Sequence, residues 1–256
     1  MFRKFALTFI ILLAAVMSLS ATSPENGSVN YFTDLIDDRE YAALLDTVFN
    51  DQGLEQALED YKVLVNRITG HGYEPWMIYL SLSRACMIIS RYATEGENKA
   101  VARAYMNEAD KLILKAEEYG APESASGVLK ALSDSFWYLI DGSLSKGMGF
   151  TKKIDALWEI HKEDFHVLLM AADRYLHSPG IAGGSRKKGL ALFQEAEEIM
   201  KSAPTAVWDR FTILSGLAYG YWKGKDKELA LYYAEEAEKI YTADENIREI
   251  LKNLRK

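Results

Sequence analysis

The sequence predicts an all-α fold, a right-handed α-solenoid of about five helical hairpins closed by a C-terminal capping helix. The first reason is composition: with only 5 prolines and an abundance of Ala, Leu, Glu, Lys and Met, the 256-residue chain is built from side chains that lose little rotamer freedom in a helix. The second is periodicity, because apolar residues recur at three- and four-residue spacing between glycine and proline breaks. The third is the stretch RYLHSPGIAGGSRKKGLALFQEAEEIM, Arg174 to Met200, which reads as helix, loop and helix. Its second helix starts at Ser185 with Leu190, Phe193, Ala196, Ile199 and Met200 apolar, and Gly189 and Ala196 leave room on either side of Phe193 for a close helix approach.

The hairpins follow in order. Leu35, Tyr41, Leu44, Leu45, Val48 and Phe49 lie on one helical face, Asp51-Gln52-Gly53 breaks the chain, and Ala57, Leu58, Tyr61, Leu64 and Val65 turn inward on the next helix. Thr69-Gly70-His71-Gly72 forms a turn before Pro75, which suits a first helical turn because its missing N–H has no intrahelical acceptor there. Helices from about Pro75 to Tyr92 and Asn98 to Tyr119 make the second pair, the latter with Ala102, Met106, Ala109, Leu112 and Ile113 inward and Gly120 as its cap. Pro122 starts the third pair. Its first helix, Glu123 to Ile140, carries Leu129, Leu132, Phe136, Trp137 and Ile140. An irregular loop punctuated by Gly142, Gly147 and Gly149 is expected next, then a short helix bearing Ile154, Leu157, Trp158 and Ile160. The fourth pair opens with a helix from about Glu163 to His177, and the fifth follows Pro204. A charged helix from Asp244 to Leu254 fits a solubilising cap.

At the N-terminus, Arg3-Lys4, an apolar run from Phe5 to Leu19 and the small residues Ser18, Ser20 and Ala21 have the order of a secretory signal peptide over residues 1–20. Cleavage is expected after Ser20 or Ala21, leaving a flexible lead over 21–30 and a helical domain over 31–256. The run is short for a membrane anchor, which needs about 20 apolar residues. No cysteine stands near the site, so no lipid anchor is expected. Such a leader places the mature chain in the periplasm or outside the cell. The one cysteine, Cys86, has no partner for an internal disulfide and lies in an apolar helical run, where a buried, inert thiol is expected. Removing Arg3 and Lys4 takes the net charge from −7 to −9, a balance that argues against nucleic acid and anionic membrane as partners.

Two sets of positions carry a family resemblance. Leu214, Leu217, Ala218, Tyr221, Ala230, Ala234 and Ala237 have the spacing of the tetratricopeptide repeat signature. Tyr41, Leu44, Leu45, Val48, Ala57, Tyr61 and Leu64 match it with a bulky residue at the first small site, and Leu168, Ala172, Tyr175, Gly189, Phe193 and Ala196 match with about five residues added between helices. The inserted loop, PGIAGGSRKKG over 179–189, resembles the Pro-Gly-Ile-x-Gly-Gly-Ser loop of a group of exported bacterial tetratricopeptide proteins. A weaker resemblance is to the T component of periplasmic TRAP transport systems. The repeat resemblance covers nearly all the mature chain and brings no catalytic residues. It implies a partner-binding scaffold that takes a protein or peptide, or, by the TRAP likeness, a transport helper that handles a small ligand with a periplasmic solute-binding protein.

Two surfaces are candidates for function. Gly183, Gly184, Ser185 and Arg186, followed by Lys187 and Lys188, form a candidate anion-binding loop at a helix start, although an N-cap serine and a long inter-helix turn account for the same residues. Thr212, Ser215, Tyr219 and Trp222 fall one position beyond the packing residues of their helix, where a repeat stack lines its concave face; packing against a neighbouring helix is the alternative. Among His71, His161, His166 and His177 there is no i,i+4 pair with a glutamate base, so no metal site is expected. The glutamate runs at 195–198 and 235–238 read as solvated faces. With no nucleophile elbow and no Cys/His signature, neither enzymatic activity nor a cofactor is expected.

Overall fold

The computed structural model describes residues 39–70, 72–203, 205, 207–242 and 244–255. The expected leader, the lead segment, Leu35, His71 and Pro204 lie outside the described residues. The described residues form eleven α-helices and no strand. They are α1 (Arg39–Phe49), α2 (Leu54–Ile68), α3 (Pro75–Glu95), α4 (Lys99–Glu118), α5 (Glu123–Asp141), α6 (Leu144–Ile160), α7 (Phe165–His177), α8 (Arg186–Ser202), α9 (Val207–Gly224), α10 (Lys227–Glu238) and α11 (Glu245–Leu254). A single 3₁₀ turn, Gly180–Ala182, interrupts the α7–α8 connection.

Local chemistry fixes where the helices begin and end. Pro75 occupies the first turn of α3. The side chains of Asn98, Asp164, Ser185, Asp226 and Asp244 each accept a backbone N–H of the turn they precede, which satisfies donors that a helix start leaves open. Gly142 closes α5 with a left-handed φ of 70°, and Gly53 stands before α2 at φ 104°.

Each helix packs on the next, and each odd-numbered helix also packs on the following odd-numbered one, from α1 on α3 through to α9 on α11. Small residues set the closest approaches. Ser83 and Ser90 of α3 donate hydroxyls to the carbonyls of Ala109 and Ala102 of α4, at 2.9 and 2.8 Å. Phe193 of α8 is fully buried with its ring on Gly216 of α9, where an added Cβ would stand 2.5 Å from it. Gly189 and Ala196, the expected small positions, are also buried, and at Gly189 an added Cβ would stand 2.5 Å from the backbone nitrogen of Leu176 in α7.

The two ends of the chain also meet. Phe49, closing α1, packs on Tyr241 at 5.2 Å and on Phe211 of α9 at 6.4 Å between ring centroids, and Phe211 stacks edge-on against Tyr241 at 5.1 Å. The first helix therefore shares a core with the last three.

The region after α5 departs from expectation. Only Gly142 breaks the chain there; Gly147 and Gly149 lie inside α6, a regular helix of 17 residues that begins at Leu144. The reason is steric. A Cβ at Gly149 would sit 2.6 Å from Asp134 Oδ2, so glycine lets α6 come close enough for Lys146 and Lys153 to hold the nearly buried Asp134 carboxylate from both sides, at 2.9 and 2.7 Å. Ile160, expected inward, is exposed. On α8 Gly189, Leu192, Phe193 and Ala196 are buried, while Leu190, Ile199 and Met200 are only half-buried.

Candidate partner-binding site

The four candidate residues of α9 are graded in exposure. Thr212 is buried, whereas Ser215, Tyr219 and Trp222, each about one turn further on, are half-exposed. Thr212 is therefore enclosed in the protein and not presented to a partner. Three residues before it, Asp209 belongs to a buried polar cluster: Tyr41 from α1, Arg84 from α3, His166 from α7 and Asp209 from α9 are all nearly or fully buried and act on one another. His166 Nε2 stands 3.8 Å from Asp209 Oδ2. Burial holds the Arg84 guanidinium down to about 10, against the opposing pull of Tyr41 and Asp209. The same burial, with the Arg84 charge, holds His166 well below the usual imidazole range, so its ring is neutral.

One turn beyond, Asp173 and His177 of α7 form a second buried pair, Oδ1 to Nε2 at 3.3 Å. Burial pushes the Asp173 carboxyl well up, and burial with the Lys223 charge pushes His177 down to about 3. Both shifts favour uncharged partners. The His177 ring lies on Tyr219, centroids 4.4 Å apart, so part of the Tyr219 surface is packing. Its other neighbours are Trp222, edge-on at 6.0 Å, and Lys223, whose ammonium sits 5.1 Å over Tyr219 and 4.0 Å over Trp222.

A depressed imidazole pKa favours folding above 6.5, and that contribution is lost as the pH falls towards 3, because the unfolded chain takes up the proton first. The raised Asp173 acts oppositely, adding stability in acid that is lost as pH rises through its shifted value. The two offset one another in mild acid, so the histidine is isolated by substitution. Relative to wild type, His177→Gln is expected to remove about 1.4 kcal/mol of acid destabilisation for each pH unit below 6.5, measured by denaturant unfolding from pH 7 to pH 5.

The candidate anion-binding loop is occupied by its own bonds. The N–H groups of Gly183, Gly184 and Ser185 donate to the carbonyls of Gly180, Pro179 and Tyr175, and so are not available to an anion. The buried Arg174 donates to the carbonyls of Gly183 and Ala182 and to Asp155 Oδ2, pinning the loop against α6. Gly184 is obligatory, since a Cβ there would lie 1.8 Å from the Ser178 carbonyl oxygen. Ser185 is the N-cap of α8. Arg186 reaches the other way and donates to the Lys223 carbonyl at 2.6 Å. That bond joins the loop to the Tyr219–Trp222 end of α9, so the two candidate surfaces are parts of one.

Sequence reasoning did not single out Arg84, Asp173, Asp209 or Lys223. Their signal was a charged residue at an otherwise apolar register position of a helix and, for Lys223, a basic run, Lys223-Gly-Lys-Asp-Lys227, directly after Trp222. Cys86 is fully buried, donates to Tyr61 Oη at 3.1 Å, and is pushed up to about 12 by burial, so it holds no thiolate at neutral pH. Among the described residues, no group of three His, Cys, Asp or Glu gathers as a metal-ligand set, and no helix is long and apolar enough to cross a membrane. In comparisons with known proteins, no family model, curated protein or solved structure matches the chain.

Proposed function

We propose that the chain is an exported, non-enzymatic scaffold that binds a protein or peptide on the half-open Tyr219–Trp222 end of its inner face. In this reading α1 to α10 are five tetratricopeptide-like hairpins of a right-handed solenoid and α11 is their cap. The alternating packing of odd-numbered helices supports the solenoid. The observation that carries the binding role is the grading of exposure along α9: Thr212 is buried, while Tyr219 and Trp222, partly covered by His177 and Lys223, stay partly exposed. A photoreactive phenylalanine analogue replacing Trp222 in the producing cells is expected to give a discrete cross-linked adduct. The same probe at the exposed Val63 or Leu114, on α2 and α4, is expected to give none. Adducts of equal yield from all three positions would count against the site. Trp222→Ala is expected to abolish capture while costing about 1–2 kcal/mol of stability, because the ring is only half-buried.

A second reading, a transport helper handling a small ligand with a solute-binding protein, is favoured by the buried polar cluster. Tyr41 Oη, inside that cluster, makes no hydrogen bond among the described residues. A solute-binding protein as the cross-linked species would favour this reading.

A further inference from the structure

We infer that the segment docking on the Tyr219–Trp222 end is acidic, a stretch of protein with several carboxylates flanking an apolar or aromatic residue. This rests on the binding site proposed above and adds the chemistry of its partner.

Lys62, Lys111, Lys162, Lys201 and Lys239 each pair with a glutamate three residues earlier. Around the site no such glutamate is present. Three residues before Arg186, Lys187, Lys188, Lys225 and Lys227 stand Gly183, Gly184, Ser185, Trp222 and Gly224, and none of these five cations forms an ion pair among the described residues. All five are exposed. The bond from Arg186 to the Lys223 carbonyl joins the two basic stretches, with Lys225 in the turn that follows and Lys227 opening α10. The acids nearby are Asp226, whose carboxylate caps α10 through the Leu229 N–H at 3.2 Å, Glu228 in the first turn of α10, and Glu249 of α11, whose charge acts on Tyr219. A chain of net charge −7 thus carries a local cationic rim beside its half-open aromatic rings.

The layout selects among anions. The loop N–H groups that could cradle one phosphate are already donated, so the charges act as separate points along an edge, which suits carboxylates spaced along an extended segment. The surface of Tyr219 and Trp222 that His177 and Lys223 leave exposed offers the apolar contact between them. A bilayer is less well served, because Ile181 is the one fully exposed apolar tip there and the neighbouring rings are half-buried.

The test uses the mature chain with three probes: a fluorescein-labelled peptide of about a dozen residues alternating Glu with Leu and Phe, its twin with Gln for every Glu, and vesicles of mixed phosphatidylglycerol and phosphatidylcholine. The Glu peptide is expected to bind at least about tenfold more tightly than the Gln twin, and to weaken as salt is raised. The variant Lys187→Gln/Lys225→Gln/Lys227→Gln changes only exposed side chains and is expected to erase that difference. Trp222→Ala is expected to weaken both peptides. Equal affinity for the twins, still dependent on Trp222, would overturn the acidic chemistry and leave the site standing. Binding that ignores Trp222, or no binding of either peptide, would overturn the site as well. Vesicle binding that the triple variant abolishes, without peptide binding, would assign the cationic rim to a lipid surface and overturn the proposal.

Discussion

Gly189→Ala is expected to lower stability by about 3 kcal/mol, against the usual direction for this substitution in a helix. Alanine normally gains up to about 1 kcal/mol over glycine in a helix interior because it restricts the unfolded chain. At position 189 the added methyl would lie 2.5 Å from the backbone nitrogen of Leu176 and 2.8 Å from the Ala172 carbonyl oxygen. Both contacts are main chain of α7, so no side chain can turn aside and the two helices must separate. Gly147→Ala in α6 is the matched comparison. There the nearest neighbour is the Tyr138 ring at 3.4 Å, an ordinary contact, and the variant is expected to be as stable as wild type or slightly more so. Urea unfolding of the pair should show shifts of opposite sign or of clearly unequal size.

Arg84→Met is expected to cost about 3–5 kcal/mol. Arg84 and Asp209 are each only 1% exposed, and their charges act on one another inside a core where water cannot compensate for the loss of either. Removing the guanidinium strands the carboxylate beside the neutral His166. The double variant Arg84→Met/Asp209→Leu is expected to recover most of the loss, since a well-packed apolar pair can replace a buried charge pair at little cost. A double-mutant cycle by thermal or denaturant unfolding gives the coupling directly. Additive losses from the two sites would mean that the charges act independently.

Much of the helical framework was legible in the sequence because its determinants are local. Asn98, Asp164, Asp226 and Asp244 are caps that act over three residues, and the left-handed Gly53, Gly120 and Gly142 mark breaks that any reader of turns would place. Gly147 and Gly149 misled for an instructive reason. A glycine that admits a neighbouring side chain and a glycine that ends a helix look the same in one dimension: Gly149 is needed for the approach of Asp134, while Gly147 stands in the helix with only ordinary contact to Tyr138. The site was half legible. Tyr219, Trp222 and Arg186 could be named from register, but the bond that unites them crosses 37 residues, from Arg186 to the Lys223 carbonyl. The buried cluster of Tyr41, Arg84, His166 and Asp209 was not legible, because its members arrive from four different helices.

Along α9 the chain is closed at Thr212 and partly open at Trp222. In a Cys86→Ser background, Thr212→Cys and Trp222→Cys provide thiols at the two ends for reaction with a maleimide under native conditions. The account predicts that the thiol at 222 reacts as an exposed cysteine does, and that the thiol at 212 reacts on the order of a hundredfold more slowly until the chain is unfolded. Equal rates at the two positions in the folded protein would contradict it.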